Sequence, residues 1–120
     1  MINAERLNRA GIDYAAGMRR FLDDAELYEA VLTAFAREDI LERAEAAFQA
    51  GDHGALLRVA HEAKGACGNA GLDNVSAEAG ALVSLLRSGA YAENELIEHY
   101  KRFARAYTAA QDGVRAALGQ

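Results

Sequence analysis

The chain holds three histidines and one cysteine, with no tryptophan and no proline, so few side chains are available for nucleophilic or metal chemistry. His61 has the most informative surroundings. It lies in the alanine-rich run ALLRVAHEAKGACGNAG, with Arg58 before it and Lys64, Gly65 and Gly68 after it. At about 100° per helical residue, His61 sits roughly 140° from the centre of the Leu56, Ala60, Ala63, Cys67 stripe, which points it into water. Leu57, Lys64, Gly65 and Gly68 fall on the surface around it, one or two turns away, so the ring stands among two glycines and two cations.

A neutral imidazole nitrogen is a competent nucleophile for phosphorus, and an ordinary exposed imidazole is mostly neutral near pH 7. Phosphoryl transfer requires in-line access and positive charge near the equatorial oxygens. Lys64 supplies charge, and the glycines supply access. Two glycines inside a helix forfeit about 1 to 2 kcal/mol relative to alanine, a cost that something must offset. Because Gly65 and Gly68 face away from the core stripe, the expectation is that both keep the imidazole clear for a bulky partner. Gly71 projects nearer the core and is expected to end the helix.

The remaining candidates have plainer readings. His53 begins a helix beside its cap, and His99 follows Glu95 by four residues; both read as solvated surface. His61-Glu62 begins an HExxH pattern, but Gly65 occupies the second histidine position, so a zinc-protease reading fails. No Glu-x-x-His pair exists for a di-iron bundle. Cys67 is alone, which excludes an internal disulfide and a structural zinc set, and its place on the core stripe makes it a packed thiol.

Composition narrows the classes further. A net charge of -5 without a basic stripe excludes a partner held mainly by nucleic-acid phosphates. No apolar run reaches the 18 or so residues that span a bilayer, and MINAERLNRAGIDYAAG lacks a basic segment followed by an apolar one, so the expected location is the cytoplasm, with no membrane partner. With 52% apolar residues and 120 residues in all, the expectation is one ordered domain spanning 1–120.

The elements that position His61 follow from periodicity, which is helical throughout and nowhere alternates as in a half-buried strand. A short helix carries Tyr14, Met18, Phe21 and Leu22 on one face behind an Asp13 cap. The next opens at Asp24 with Leu27, Tyr28, Val31, Leu32 and Phe35 inward, then resumes as Ile40, Leu41, Ala44, Ala47 and Phe48. The step from Phe35 to Ile40 breaks phase, which means either a bend near Arg37 to Asp39 or a change of neighbour. Gly51 stops this helix and Asp52 caps the next, His53 to about Ala70, whose small core face suits a central position. A fourth carries Val75, Ala79, Leu82 and Leu86 and ends at Ser88 and Gly89. The last runs from about Glu93 to Leu118. Short loops between amphipathic helices predict an all-α, antiparallel up-and-down four-helix bundle with one short additional N-terminal helix.

The stretch His61 to Leu72, HEAKGACGNAGL, resembles the signature of the histidine-containing phosphotransfer (HPt) family: His, two residues, Lys-Gly, small residues, then Gly and an apolar position. The similarity extends upstream through GDHGALLRVA and GIDYAAGMRRFLDDAELYEAVLTAF, covering nearly the whole chain in order. It implies a four-helix bundle whose histidine shuttles phosphoryl groups between receiver-domain aspartates in a multistep phosphorelay. Carried over, His61 is the phosphoacceptor, Lys64 the cation beside the phosphoryl group, and Gly65 the small residue giving access; Gly68 matches some members. Arg58 and Leu57 are supporting candidates from their spacing alone.

The departure from the pattern is Val83, where many relatives have a glutamate or glutamine that hydrogen-bonds the imidazole; Ser84 and Glu78 are weak substitutes. The resemblance also implies receiver domains of response regulators or hybrid kinases as partners, no cofactor in this chain, and magnesium on the receiver. The expected state is a monomer without ATP-dependent kinase activity. A receiver-binding or other interaction bundle that accepts no phosphate stays open as the alternative, with Val83 its best argument. A metal- or cofactor-binding bundle lacks convergent ligands, and regulatory dimerisation through the last helix is compatible with the leading reading.

Overall fold

The structure is a computed structural model and describes residues 2–119. Among these are seven helices and no strand: α1 (Ala4–Arg9), α2 (Tyr14–Arg20), α3 (Ala25–Arg37), α4 (Ile40–Gln49), α5 (His53–Asn69), α6 (Asp73–Ser88) and α7 (Glu93–Ala117). The all-α bundle expected from periodicity is present. Its starts are written locally, because Asn3, Asp13, Asp24 and Asp52 each accept a hydrogen bond from the backbone N–H three residues on. Such caps contribute about 1 kcal/mol each by satisfying an otherwise orphaned donor. Gly51 and Gly89 turn the chain out of α4 and α6 with φ of +67° and +64°.

The phase break resolves as a true interruption. Glu38 is extended, and α4 restarts at Ile40. Ending α3 there leaves carbonyls without helical partners, and α7 satisfies them. The buried Gln111 amide donates to the carbonyls of Phe35 and Glu38 at 3.1 and 3.2 Å. Arg115 donates to the Ala36 carbonyl through Nε and Nη2, at 3.1 and 2.8 Å. A gentle bend would have kept these carbonyls inside the helix ladder.

The interrupted α3–α4 rod, α5, α6 and α7 make the bundle: α5 packs between α4 and α6, α6 also packs on α7, and α3 packs on α7. Leu32, Leu56, Ala60, Ala63, Leu82, Phe103, Tyr107 and Val114 are wholly buried in one cluster. The small α5 face lets α6 approach closely, which fixes α5 as the central helix. No described helix is long and apolar enough to cross a membrane.

Three expectations require correction. Two short helices precede the bundle where one was expected, because α1 buries only Leu7 and so carries no readable stripe; it docks on the end of α7, with Asn3 N donating to the Ala117 carbonyl at 2.9 Å. Leu22 was assigned to an inward face but is 91% exposed, since α2 ends at Arg20 and Leu22 enters the following turn with φ of +54°. Leu27 was placed inward and is 49% exposed, because the buried face of α3 is centred on Tyr28, Leu32, Phe35 and Ala36.

Candidate functional site

His61 lies midway along α5 and is exposed, and its ring makes no hydrogen bond among the described residues. The helix beneath it is tightly held. Ala60 and Ala63 are fully buried on either side, and at the C-terminal end the Tyr28 hydroxyl donates to the Ala70 carbonyl at 2.6 Å. Tyr28 reaches that carbonyl by passing over Gly17, where a Cβ would lie 2.1 Å from the hydroxyl oxygen. Burial first, then the nearby Tyr14 and Asp13, pushes the Tyr28 phenol up to about 12, so it is a donor throughout the neutral range.

Two contacts set the antiparallel register of α5 against α6. The Lys64 side chain crosses to Gly80, where an added Cβ would meet its Cε at 3.6 Å and its Cδ at 3.7 Å. One turn on, an added Cβ at Gly68 would meet Ser76 Oγ at 3.1 Å, and that hydroxyl donates to the Lys64 carbonyl at 3.1 Å. Continued along the two helices, that register brings Val83 level with His61 and Arg87 level with Leu57. Val83 is only 2% exposed and contributes to the core, so this position offers the ring no polar partner. Ser84 and Glu78 donate nothing to His61 and accept nothing from it.

The glycines divide. Gly65 is exposed and an added Cβ would meet nothing within 4 Å, so the surface one turn from His61 is open. Gly68 departs from expectation: it is half-buried against α6, and the close crossing at Ser76 accounts for the glycine better than access to the ring does. Its carbonyl also accepts from Arg20 Nη1 at 2.7 Å, which ties α2 to α5. Arg58 is likewise not brought to the ring. Its guanidinium lies over Gly54, 3.6 Å from where a Cβ would be, back toward the start of α5 as helical side chains lean. Leu57 is half-buried beside the ring's stripe.

One group near the site was not singled out from sequence. Arg43 of α4 grips the carboxylate of Glu62, the residue after His61, through Nη1 to Oε2 at 2.9 Å and Nη2 to Oε1 at 3.2 Å. Its Nε donates to Asp39 Oδ1 at 3.0 Å. The Glu62 and Asp39 carboxylates hold the guanidinium above its already high ordinary value. Nothing in the spacing of Arg43 and Glu62 announces this contact; Gly80 was not singled out either, although a glycine inside a helix is a signal that could have found it.

The other titratable groups take structural places. Cys67 is buried and its thiol is pushed up to about 12 by desolvation, which leaves it unreactive at neutral pH. His53 Nδ1 and the Tyr91 hydroxyl are 2.7 Å apart, joining the α4–α5 turn to the α6–α7 turn. Tyr100 donates to Glu45, and that bond holds the Glu45 carboxyl below the usual carboxylate range. Among the described residues no group of three or more His, Cys, Asp or Glu side chains converges as a metal site.

What this face offers is a rigid helix presenting an unbonded imidazole, a lysine at one turn, and open space over the next glycine. No curated protein and no solved structure matches the chain. The family model of the Hpt domain matches residues 18–113, the span from α2 through most of α7, with His61, Lys64 and Gly65 inside it. With four-fifths of its length matched in this way, the chain belongs to the Hpt domain family.

Proposed function

We propose that this chain is a phosphorelay intermediate that accepts a phosphoryl group on His61 from a receiver-domain aspartate and passes it to another receiver. Hpt domains serve histidine phosphotransfer in phosphorelays, and the observation that best supports the role of His61 is its exposed, unbonded ring beside Lys64 and the open surface at Gly65. In this reading the imidazole lone pair forms an N–P bond as the acyl phosphate's O–P bond breaks, and the aspartate leaves as a carboxylate. The other ring nitrogen carries the proton and exchanges it with water. Lys64 offsets charge on the phosphoryl oxygens. Magnesium belongs to the receiver, and the chain acts without nucleotide or cofactor.

A second reading, a docking bundle that accepts no phosphate, draws support from the burial of Val83, which leaves the ring without the polar partner many relatives provide. The two separate on one experiment. The protein is mixed with phosphorylated receivers and examined for acid-labile label, with His61→Gln as control. Label on the wild type and none on the variant is the expected result; docking without label on either selects the second reading.

A further inference from the structure

Glu62 is the ionisable residue nearest His61 in the chain, and a free carboxylate there would oppose what the site is proposed to do. It would stabilise the imidazolium over the nucleophilic neutral ring, and it would repel a phosphoryl group that brings about two negative charges. The structure gives that carboxylate a particular destination. Both of its oxygens are engaged by Arg43, at 2.9 and 3.2 Å, on the α4 side of α5, whereas Lys64 leans to the α6 side. A two-point guanidinium–carboxylate contact fixes direction as well as distance, which a lysine cannot do.

Arg43 is itself aimed. Its Nε bonds Asp39 Oδ1 at 3.0 Å, and Asp39 makes no side-chain hydrogen bond to cap α4, so the carboxylate at the α3–α4 interruption is left to orient the guanidinium. The Arg43 and Glu62 side chains are 42% and 49% exposed, a setting in which an isolated ion pair adds little to fold stability, although the two-point geometry and the shared Asp39 raise this one above the usual surface pair. Besides holding α4 to α5, the contact decides where the Glu62 charge lies.

We propose that Arg43 is a positioning residue for the His61 site: it grips Glu62 toward α4 and so keeps that carboxylate away from the imidazole and from an incoming phosphoryl group. The consequence for transfer rests on the phosphotransfer reading; the consequence for the ring does not. The other charged groups on the elements packed about this face are Arg58 and Lys64 on α5, Arg87 on α6, Glu38 at the end of α3, and Asp39 and Glu42 at the start of α4; Glu62→Asp alters none of them, whereas Arg43→Ala also removes a cation and releases Asp39.

The test is a proton NMR titration of His61 in the wild type, Arg43→Ala, Glu62→Asp and Arg43→Ala/Glu62→Gln proteins, with transfer from a phosphorylated receiver measured alongside. Glu62→Asp keeps the charge but shortens the arm, so it breaks the grip even if loss of Arg43 disturbs folding. In Glu62→Asp, which keeps every charge, the His61 midpoint should rise by a few tenths of a pH unit, about the effect of one carboxylate released at roughly 7 Å in water; in Arg43→Ala it should rise further, because the cation is lost as well. Transfer should slow by about three- to tenfold at low salt, with the deficit shrinking at high salt. The double variant should return both to wild-type values. A midpoint unmoved in both single variants, or a rise that Glu62→Gln does not reverse, overturns the proposal. If no receiver labels the wild type, the phosphotransfer reading fails, while the titration still decides whether Arg43 controls the charge at the ring.

Discussion

The side chain of Lys64 lies across α6 at Gly80, with its Cε 3.6 Å from the position a Cβ would take. The glycine leaves a bed for the alkyl stem, so the ammonium is carried on a supported arm. Ordinary van der Waals distance means alanine fits, and a branched side chain does not. Gly80→Ala should keep transfer within about twofold and gain a few tenths to 1 kcal/mol of stability from helix propensity. Gly80→Leu should displace Lys64 and slow phosphotransfer by about tenfold while leaving the helical circular dichroism intact. Equal rates in the two variants would show that the bed does not matter.

The two glycines after His61 should respond oppositely. Gly65→Ala meets nothing and is expected to stabilise the fold by about 0.5 to 1 kcal/mol. Gly68→Ala brings a Cβ to 3.1 Å from Ser76 Oγ, whose hydroxyl bonds the Lys64 carbonyl, so the propensity gain should be cancelled or reversed. Thermal unfolding of the pair measures the difference directly. In transfer assays Gly65→Leu should fold normally and react slowly, since its side chain occupies the open approach.

Removing the Gln111 amide tests the interruption between α3 and α4. Gln111→Leu removes a donor from the buried Phe35 carbonyl, which keeps its bond from the Glu38 N–H, and from the part-buried Glu38 carbonyl, and should cost about 1 kcal/mol in denaturant unfolding. Hydrogen exchange should localise the loss to the end of α3. A neutral substitution would mean that water can replace the amide there.

Alkaline pH should loosen the fold through Tyr28. Its phenol titrates near 10 when unfolded and is raised to about 12 in the fold, so folding favours the protonated form. Its contribution is complete below pH 10 and is lost as pH climbs from 10 to 12, where the unfolded chain releases protons first. Burial raises Tyr100 and Tyr107 in the same direction. Tyr28→Phe should lose the Ala70 hydrogen bond, at a cost of about 1 kcal/mol, and flatten the alkaline decline measured by urea unfolding between those pH values.

Much of this molecule was legible because it is local. Asp13, Asp24 and Asp52 announce helix starts through bonds that span three residues, and Gly51 and Gly89 announce ends through a backbone conformation that needs no neighbour. The outward placement of His61 required only the helical repeat and the Leu56, Ala60, Ala63, Cys67 stripe. Leu22 and Leu27 were misplaced because a stripe read at the edge of a helix does not reveal where the helix stops or which residue centres its buried face.

What spacing along one helix does not contain is the register between helices, and the remaining features all depend on it. Whether the Phe35 to Ile40 step was a bend or a break was decided by Gln111, which reaches the α3 carbonyls across 76 and 73 residues of sequence. Gly68 became a crossing point only once Ser76 stood opposite it, and Val83 proved to be core only once α6 was laid against α5. Around His61, the chain's own periodicity was enough to turn the ring outward. The packing of α4 and α6 against α5 decided the rest: Lys64 supported on one side, and Glu62 drawn away by Arg43 on the other.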